Sequence, residues 1–293
     1  MTLYFYVNSN AVIIGRNQNA WRECNLSRMA EDAVQLVRRH TGGGAVYHDE
    51  GNLNFSFIAD ERLYDKERQT AVVLRALARF GIQAEVNGRN DLTVGGRKFS
   101  GCAYGLSGRA RAMHGTLLIS TDFGRLSEYL RPSKKKLESK GVESVRSRVV
   151  DLSEIADVSV DRARAALIEE FSAEYGAAEP LRFSPEDEEQ IARLEAVQNS
   201  WEWIYGATPR FDYRMDERFS FGELQLLLRL RAGRVEGVTA FTDSLDTSLP
   251  ARLSELLAGC RFGRDPLAAA LDKGGPEARE ISAFIAANWE EDK

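Results

Sequence analysis

Three consecutive glycines, Gly42, Gly43 and Gly44, constrain the local fold more tightly than any other stretch of this chain. A glycine inside a helix costs about 1 kcal/mol relative to alanine, so a run of three belongs to neither a helix nor a strand interior. The run must be a loop, and its neighbours say what kind. Arg38 and Arg39 precede it, and Ala45-Val46-Tyr47-His48 follows as a strand-like segment. Glycine turns allow close backbone approach, and their exposed N–H groups can form an anion nest. The Arg39 guanidinium adds a planar fork suited to phosphate. A lone triple glycine reads first as an ordinary flexible turn with surface arginines. The strand that follows makes a positioned loop the better reading.

A second glycine motif runs from Gly88 to Gly101 and contains Asn90, Asp91, Gly95-Gly96 and Lys98. A Gly-Gly pair between alternating apolar residues reads as a hairpin turn, with Lys98 just after it. Such a lysine is either a solubilising charge or, beside a glycine-lined loop, a group that neutralises a carboxylate and a phosphate together. Cys102 follows, with His114 the nearest base in sequence. It is read as a small buried thiol, with a nucleophile as the alternative.

The surrounding pattern is mixed α/β. Residues 11–15 form a short apolar run ending at a glycine. Leu53, Phe55 and Phe57 alternate with Asn52, Asn54 and Ser56, a strand with one buried face. Residues 64–80 have helical spacing and stop at Gly81. Residues 116–120 are a β-branched apolar run. A helix starts at Asp161 and closes at Gly176, and Ser184-Pro185-Glu186-Asp187 opens another. After a turn-rich break at residues 205–209, Phe219 to Leu230 alternate around Gly222, which predicts a long strand bulged or kinked at that glycine. Ala232-Gly233 turns into a hairpin partner, and the last helix lies around residues 276–289.

Composition narrows the class. At roughly 100–200 residues per domain, 293 residues favour two domains, here 1–209 and 217–293. With 43% hydrophobic residues the chain can bury a sizeable core, so global disorder is excluded. No apolar run approaches the roughly 18 residues of a membrane span. The opening MTLYFYVNSN lacks a signal-peptide pattern, so a cytoplasmic protein is expected. Cys24, Cys102 and Cys260, with three histidines, are too dispersed for a disulfide framework or a structural metal cluster. A net charge of −5 argues against bulk nucleic-acid binding. The charge is uneven, however: between residues 131 and 148 stand Arg131, Lys134, Lys135, Lys136, Lys140, Arg146 and Arg148 against Glu138 and Glu143. That run is a solvated face or a landing surface for phosphates or an acidic partner.

The motifs together resemble the lipoate–protein ligase A family. The resemblance is carried by VIIGRNQNAWRECN (residues 12–25), RRHTGGGAVYHDEGNLNFSFI (38–58), GRNDL (88–92), GRKFSGCAY (96–104), HGTLL (114–118) and KKKLESKGVESVRSRVVDL (134–152). It continues through SWEWIYG (200–206), RFSFGELQL (218–226) and TAFTDSL (239–245), and so covers nearly the whole chain. It implies an α/β catalytic domain of the biotin/lipoate protein ligase kind, 1–209, and a small C-terminal accessory domain, 217–293. It implies activation of lipoate by ATP, with Mg²⁺, to lipoyl-AMP, and transfer to a lysine of an acidic acceptor domain of 2-oxoacid dehydrogenase complexes or the glycine cleavage H protein. Lys98 matches the family lysine at lipoate and the adenylate. Arg39, Gly44, Ala45, Val46 and Tyr47 match nucleotide and lipoyl contacts, and Asn90 and Asp91 are second-tier candidates on the adenylate side. The metal ligands are left open. Two departures stand out. Family members carry a further helix and strand ahead of this start, of which residues 3–7 are read as the remnant of the strand. The connection between Asp91 and Lys98 is also short, with Gly95-Gly96 in place of a longer segment. The alternatives are an octanoyl or lipoyl transferase working through a Cys102 thioester, and a non-catalytic paralogue.

Overall fold

The structure is a computed structural model and describes residues 1–88, 90–131, 149–205 and 212–289. The basic stretch beyond Arg131, together with Arg89 and the break from residue 206 onward, lies outside the described residues. The chain forms two compact units. One comprises Met1–Ile13, Glu23–Val37 and Val46–Ser200; the other comprises Ile14–Arg22, Arg38–Ala45 and Trp201–Lys293.

The first nine strands are β1 (Thr2–Tyr6), β2 (Ala11–Ile14), β3 (Gln35–Arg38), β4 (Val46–His48), β5 (Asn52–Asp60), β6 (Glu85–Asn87), β7 (Asp91–Val94), β8 (Arg97–Ser107) and β9 (Ala110–Leu118). Six of them make an antiparallel sheet in the order β1-β5-β9-β8-β7-β6, and β3-β2-β4 make a smaller sheet. One face of the large sheet is apolar. Leu53, Phe55, Phe57, Phe99, Cys102, Met113 and Leu117 join a single core with two helices, Lys66–Ala78 and Val160–Tyr175. The first helix contributes Val72, Val73, Ala76 and Leu77, and the second Ala163, Ala166, Leu167 and Phe171.

The boundaries refine the sequence reading. The first helix begins after Asp65, whose side chain accepts the Arg68 N–H and so caps it, rather than at residue 64. The second is capped by Ser159. β9 extends well N-terminal of residue 116, because Arg111 and His114 alternate with apolar residues instead of interrupting the strand. The expectation that only one face of β5 is buried does not hold, since Asn52 and Asn54 are each 1% exposed. Alternation recorded the chemistry of the two faces and not their exposure. The helix Pro185–Gln198 carries the expected cap, a reciprocal Ser184–Asp187 box, yet buries no residue. Ile191, Leu194 and Val197 are exposed along it.

In the second unit, β10 (Tyr213–Phe219), β11 (Gly222–Arg231) and β12 (Arg234–Thr242) form an antiparallel sheet. Gly222 does not bulge a long strand. It pairs with Phe219 across a tight turn, so the sequence read as one strand is two. Its φ of 139° and the Asp243 carboxylate, 2.2 Å from where a Cβ would stand, both require glycine. The core joins Leu224, Leu226 and Leu228 to Leu253, Leu257, Leu267, Leu271, Ile281 and Ile285 of three following helices, Leu249–Leu257, Arg264–Leu271 and Pro276–Asn288. Among the described residues, no helix is long and apolar enough to cross a membrane.

Candidate active site

The sheet of the first unit has a second face, and it is polar. Residues paired across antiparallel strands point to the same side. Asn54 pairs with Thr116, and Ser56 with His114, which in turn pairs with Ala103. Next along, Gly101 pairs with Asp91, and its N–H donates to Thr116 Oγ1 at 3.4 Å. Neither amide atom of buried Asn52, at the end of this row, has a hydrogen-bond partner.

Lys98 reaches this face by a register shift. Strict alternation from the core residue Cys102 through Ser100 would turn Lys98 toward the apolar core. The β7–β8 ladder instead pairs Leu92 with Ser100 and Thr93 with Lys98, so two β8 residues lie against one step of β7. That bulge puts Lys98 on the side of Asp91 and Gly101. Its Nζ lies 2.7 Å from Asp91 Oδ1 and only 3.0 Å, inside ordinary van der Waals contact, from where a Gly101 Cβ would stand. The Gly95-Gly96 turn has φ of 55° and 75°, the double left-handed conformation of a two-residue hairpin. Behind it, the Lys98 carbonyl accepts the Val150 N–H at 2.9 Å. Asn90 exchanges two bonds with Cys102: its Nδ2 donates to the Cys102 carbonyl at 2.9 Å, and its carbonyl accepts the Cys102 N–H at 2.7 Å. Asn90 therefore fastens the strand, and Asp91 is the second-tier residue whose side chain meets Lys98.

Cys102 faces the other way. Its partner is Gly115, whose missing Cβ would stand 3.1 Å from Sγ, so His114 points to the opposite side of the sheet. The thiol is 3% exposed, and burial pushes its pKa up to about 11. A buried protonated thiol without its expected base does not suit a thioester route.

The glycine loop belongs to the second unit up to Ala45. Arg39 turns inward on its own loop, donating from Nη2 to the carbonyls of Gly42 (2.7 Å) and Gly44 (2.8 Å). The Gly43 N–H is taken by the Ser244 carbonyl at 3.1 Å, so the expected nest does not include it. Gly42 and Gly43 are buried, while Gly44 and Ala45 are partly open, and nothing lies within 4 Å of a Cβ added at Gly44. Val46 and Tyr47 continue into β4 in the first unit. The Tyr47 ring is buried with its hydroxyl bonded to Asn10 Oδ1 at 3.2 Å, which leaves backbone rather than ring at that position for a ligand.

Arg38, to which the motif alone assigns no role, is a brace. Its buried guanidinium donates to the carbonyls of Gly15, Arg16 and Gln18 and to those of Trp203 and Ile204, at 2.5–3.1 Å. It ties the 15–18 turn to the end of the short helix Trp201–Ile204, where carbonyls lack helical partners. Trp203 answers with an indole N–H to the Arg38 carbonyl at 2.8 Å, and Arg16 lies 4.2 Å over its ring. A cleft of about 250 Å³ opens there, lined by Arg16, Trp203, Tyr205 and Phe241 among others. The signal was present in the adjacent arginines, but nothing local distinguished the one that braces from the one beside the loop.

For Mg²⁺, no group of three or more His, Cys, Asp or Glu is placed to hold a metal ion among the described residues. Mg²⁺ commonly binds through one or two carboxylates plus substrate phosphates and waters, and Asp91 beside Lys98 fits that donor set.

The first unit thus carries a polar sheet face with a paired lysine and the second a braced glycine loop, within a mixed α/β fold, and comparison with known proteins identifies the family. The lipoyl protein ligase A/B catalytic domain matches residues 1–172, and the bacterial lipoate protein ligase C-terminus matches residues 208–282. The chain belongs to the lipoate–protein ligase family. The structure is similar to that of P. falciparum LipL1 in complex with lipoate, at 30% identity and a TM-score of 0.83, over 98% of this chain and 87% of that one. A chain of an archaeal lipoylation system, a bi-partite lipoate protein ligase and its E2 lipoyl domain from Thermoplasma acidophilum, is 32% identical with a TM-score of 0.62, over 72% of this chain and 86% of its own. A lipoate-protein ligase A bound with ATP is 31% identical with a TM-score of 0.60, over 70% and 85%.

Proposed function

We propose that this protein is an ATP-dependent lipoate–protein ligase, with residues 1–209 as the catalytic part and 217–293 as the accessory part. The observation that carries the reading is Lys98, brought by a bulge to the polar face of the large sheet and paired there with Asp91. The relatives solved with lipoate and with ATP support it. In the first half-reaction a lipoate carboxylate oxygen attacks the α-phosphorus of ATP. A P–O bond forms, pyrophosphate leaves, and lipoyl-AMP remains. Two anions must meet for this, and a preorganised ammonium at Lys98 offsets their repulsion. Mg²⁺ bound with ATP, with Asp91 as its protein ligand, would supply further phosphate charge neutralisation. The backbone of Gly44 to Tyr47, whose Gly44 carbonyl Arg39 holds, would contact the nucleotide and lipoyl group. In the second half-reaction an acceptor lysine attacks the acyl carbon and AMP leaves. The enzyme must meanwhile keep water from the mixed anhydride.

The acceptor is an acidic lipoyl domain of a 2-oxoacid dehydrogenase complex or the glycine cleavage H protein, and the compartment is the cytoplasm. The E2 lipoyl domain of the archaeal system supports the acceptor class. The deciding experiment is lipoate-dependent exchange of labelled pyrophosphate into ATP. Exchange establishes adenylation, whereas an acyl transferase or a non-catalytic relative gives none.

A further inference from the structure

Residues 243–248 of the second unit follow β12 and belong to no strand or helix, yet with Thr242 at the end of that strand they are held by their side chains. The Thr242 hydroxyl donates to the Glu223 carbonyl at 2.6 Å, and its oxygen accepts the Ser244 N–H at 3.0 Å. Ser244 Oγ accepts the Asp246 N–H at 3.1 Å. Asp246 Oδ1 accepts the Ser248 N–H at 2.8 Å, and Arg252 holds its other oxygen at 2.5 Å. Every second side chain thus receives the backbone N–H two residues on. Turns of this kind fix a segment locally, before any neighbour is considered.

The segment so fixed presents backbone groups to two others. The Ser244 carbonyl accepts the Gly43 N–H at 3.1 Å, the Thr247 carbonyl accepts Asn17 Nδ2 at 3.0 Å, and the Thr242 N–H donates to the Asn17 carbonyl at 2.8 Å. The fit leaves no room for side chains. A methyl at Gly42 would stand 2.3 Å from the Ser244 carbonyl oxygen and 2.8 Å from that of Leu245, and one at Gly15 would stand 2.1 Å from the Gly43 carbonyl oxygen. Arg39 holds the loop's own carbonyls, so the glycine run is fastened both within itself and to 242–248.

We propose that Thr242, Ser244 and Asp246 are positioning residues for the glycine loop: their alternating hydrogen bonds set where the backbone of Gly44 and Ala45 is presented. The consequence for catalysis rests on the ligase reading above. A displacement of about 1 Å in a positioning group can cost on the order of 10²-fold in rate.

The test uses the full chain and two independent readouts. In Ser244→Ala the Asp246 N–H loses its acceptor. Amide exchange over residues 38–45, followed by mass spectrometry without ligand, is expected to quicken about five- to ten-fold, with the helices of the same unit unchanged. Ser244→Thr, which keeps the hydroxyl, restores slow exchange. Gly42→Ala perturbs the same contact from the other side and gives the same localised signature. In pyrophosphate exchange, Ser244→Ala lowers kcat/KM for adenylation, and Ser244→Thr recovers it. Unchanged exchange at 38–45 in both Ser244→Ala and Gly42→Ala overturns the proposal, as does acceleration spread over the whole unit. Localised acceleration with wild-type adenylation kinetics overturns the catalytic part. If wild-type protein shows no lipoate-dependent exchange of pyrophosphate, the ligase reading fails, and amide exchange still decides the positioning on its own.

Discussion

At the scale of single residues, charge and protonation separate the two chemically interesting side chains of β8. Lys98 sits half-exposed beside Asp91, on the face that carries hydroxyls and amides. Removing one preorganised donor or charge typically costs about 10²–10³ in rate. Lys98→Ala is therefore expected to lower lipoyl-AMP formation by that factor while its circular dichroism and melting remain those of the parent. Near-normal adenylation by the folded variant would remove Lys98 from the mechanism. Cys102, four positions on, has a pKa pushed by burial up to about 11, so at neutral pH almost none of it is thiolate. Iodoacetamide at pH 7 should leave Cys102 unlabelled in the native protein and label it on unfolding, and Cys102→Ser should keep most ligation activity. Rapid native labelling at this position, with loss of activity, would bring the thioester route back.

Elements decide how far a side chain's chemistry can be used. A single bulge in β8 changes which face Lys98 serves, and Gly101 then leaves room for its ammonium. Gly101→Val should push that ammonium aside and lower kcat for adenylation by about ten-fold or more, short of the full alanine effect. A variant as active as the parent would show that Lys98 finds its place without the gap. The turn at 242–248 carries its own pH signature. Burial raises the Asp246 pKa, but the hydrogen bonds from Ser248 and Arg252 outweigh it and hold the carboxyl below its ordinary 3.8. A depressed carboxyl adds stability that is present above the unfolded pKa and lost as pH falls through the folded one. Asp246→Asn should accordingly shrink the difference in unfolding free energy between neutral pH and pH below 3.8, measured by urea denaturation. Much at this scale was legible in advance: the Gly95-Gly96 hairpin, the Ser184 cap and the helix stopped by Gly81 all follow from local chemistry. The bulge was not, because alternation alone cannot say where a ladder gains a residue. Nor was the turn at Gly222, where one apolar alternation spans two strands.

For the whole molecule, net charge conceals an uneven distribution, with an overall −5 and a basic stretch from Arg131 to Arg148. Summed fields steer encounters and are screened over roughly 8–10 Å near physiological salt. Reversing the charge of Lys134, Lys135 and Lys136 should slow lipoyl transfer to an acidic acceptor domain, more so at low salt, and leave adenylation intact. Equal damage to both half-reactions would place the stretch at the nucleotide instead. The candidate site was legible as motifs because glycine, arginine and lysine signal their chemistry locally. What the motifs could not disclose is that part of the bracing of Arg38 and the glycine loop comes from Trp203 and Ser244, 165 and 201 positions away. Such pairings leave no periodic trace in sequence. They also impose an order on biosynthesis. Ile14–Arg22 and Arg38–Ala45 leave the ribosome early, but their compact unit closes only with residues supplied from Trp201 onward. Domains generally fold as units, and at roughly 5–20 residues per second this one waits about ten seconds or more for its later half. A nascent chain halted before residue 201 would carry the glycine loop with its Arg39 bonds but without the 242–248 segment, so the loop matures last although it is made first.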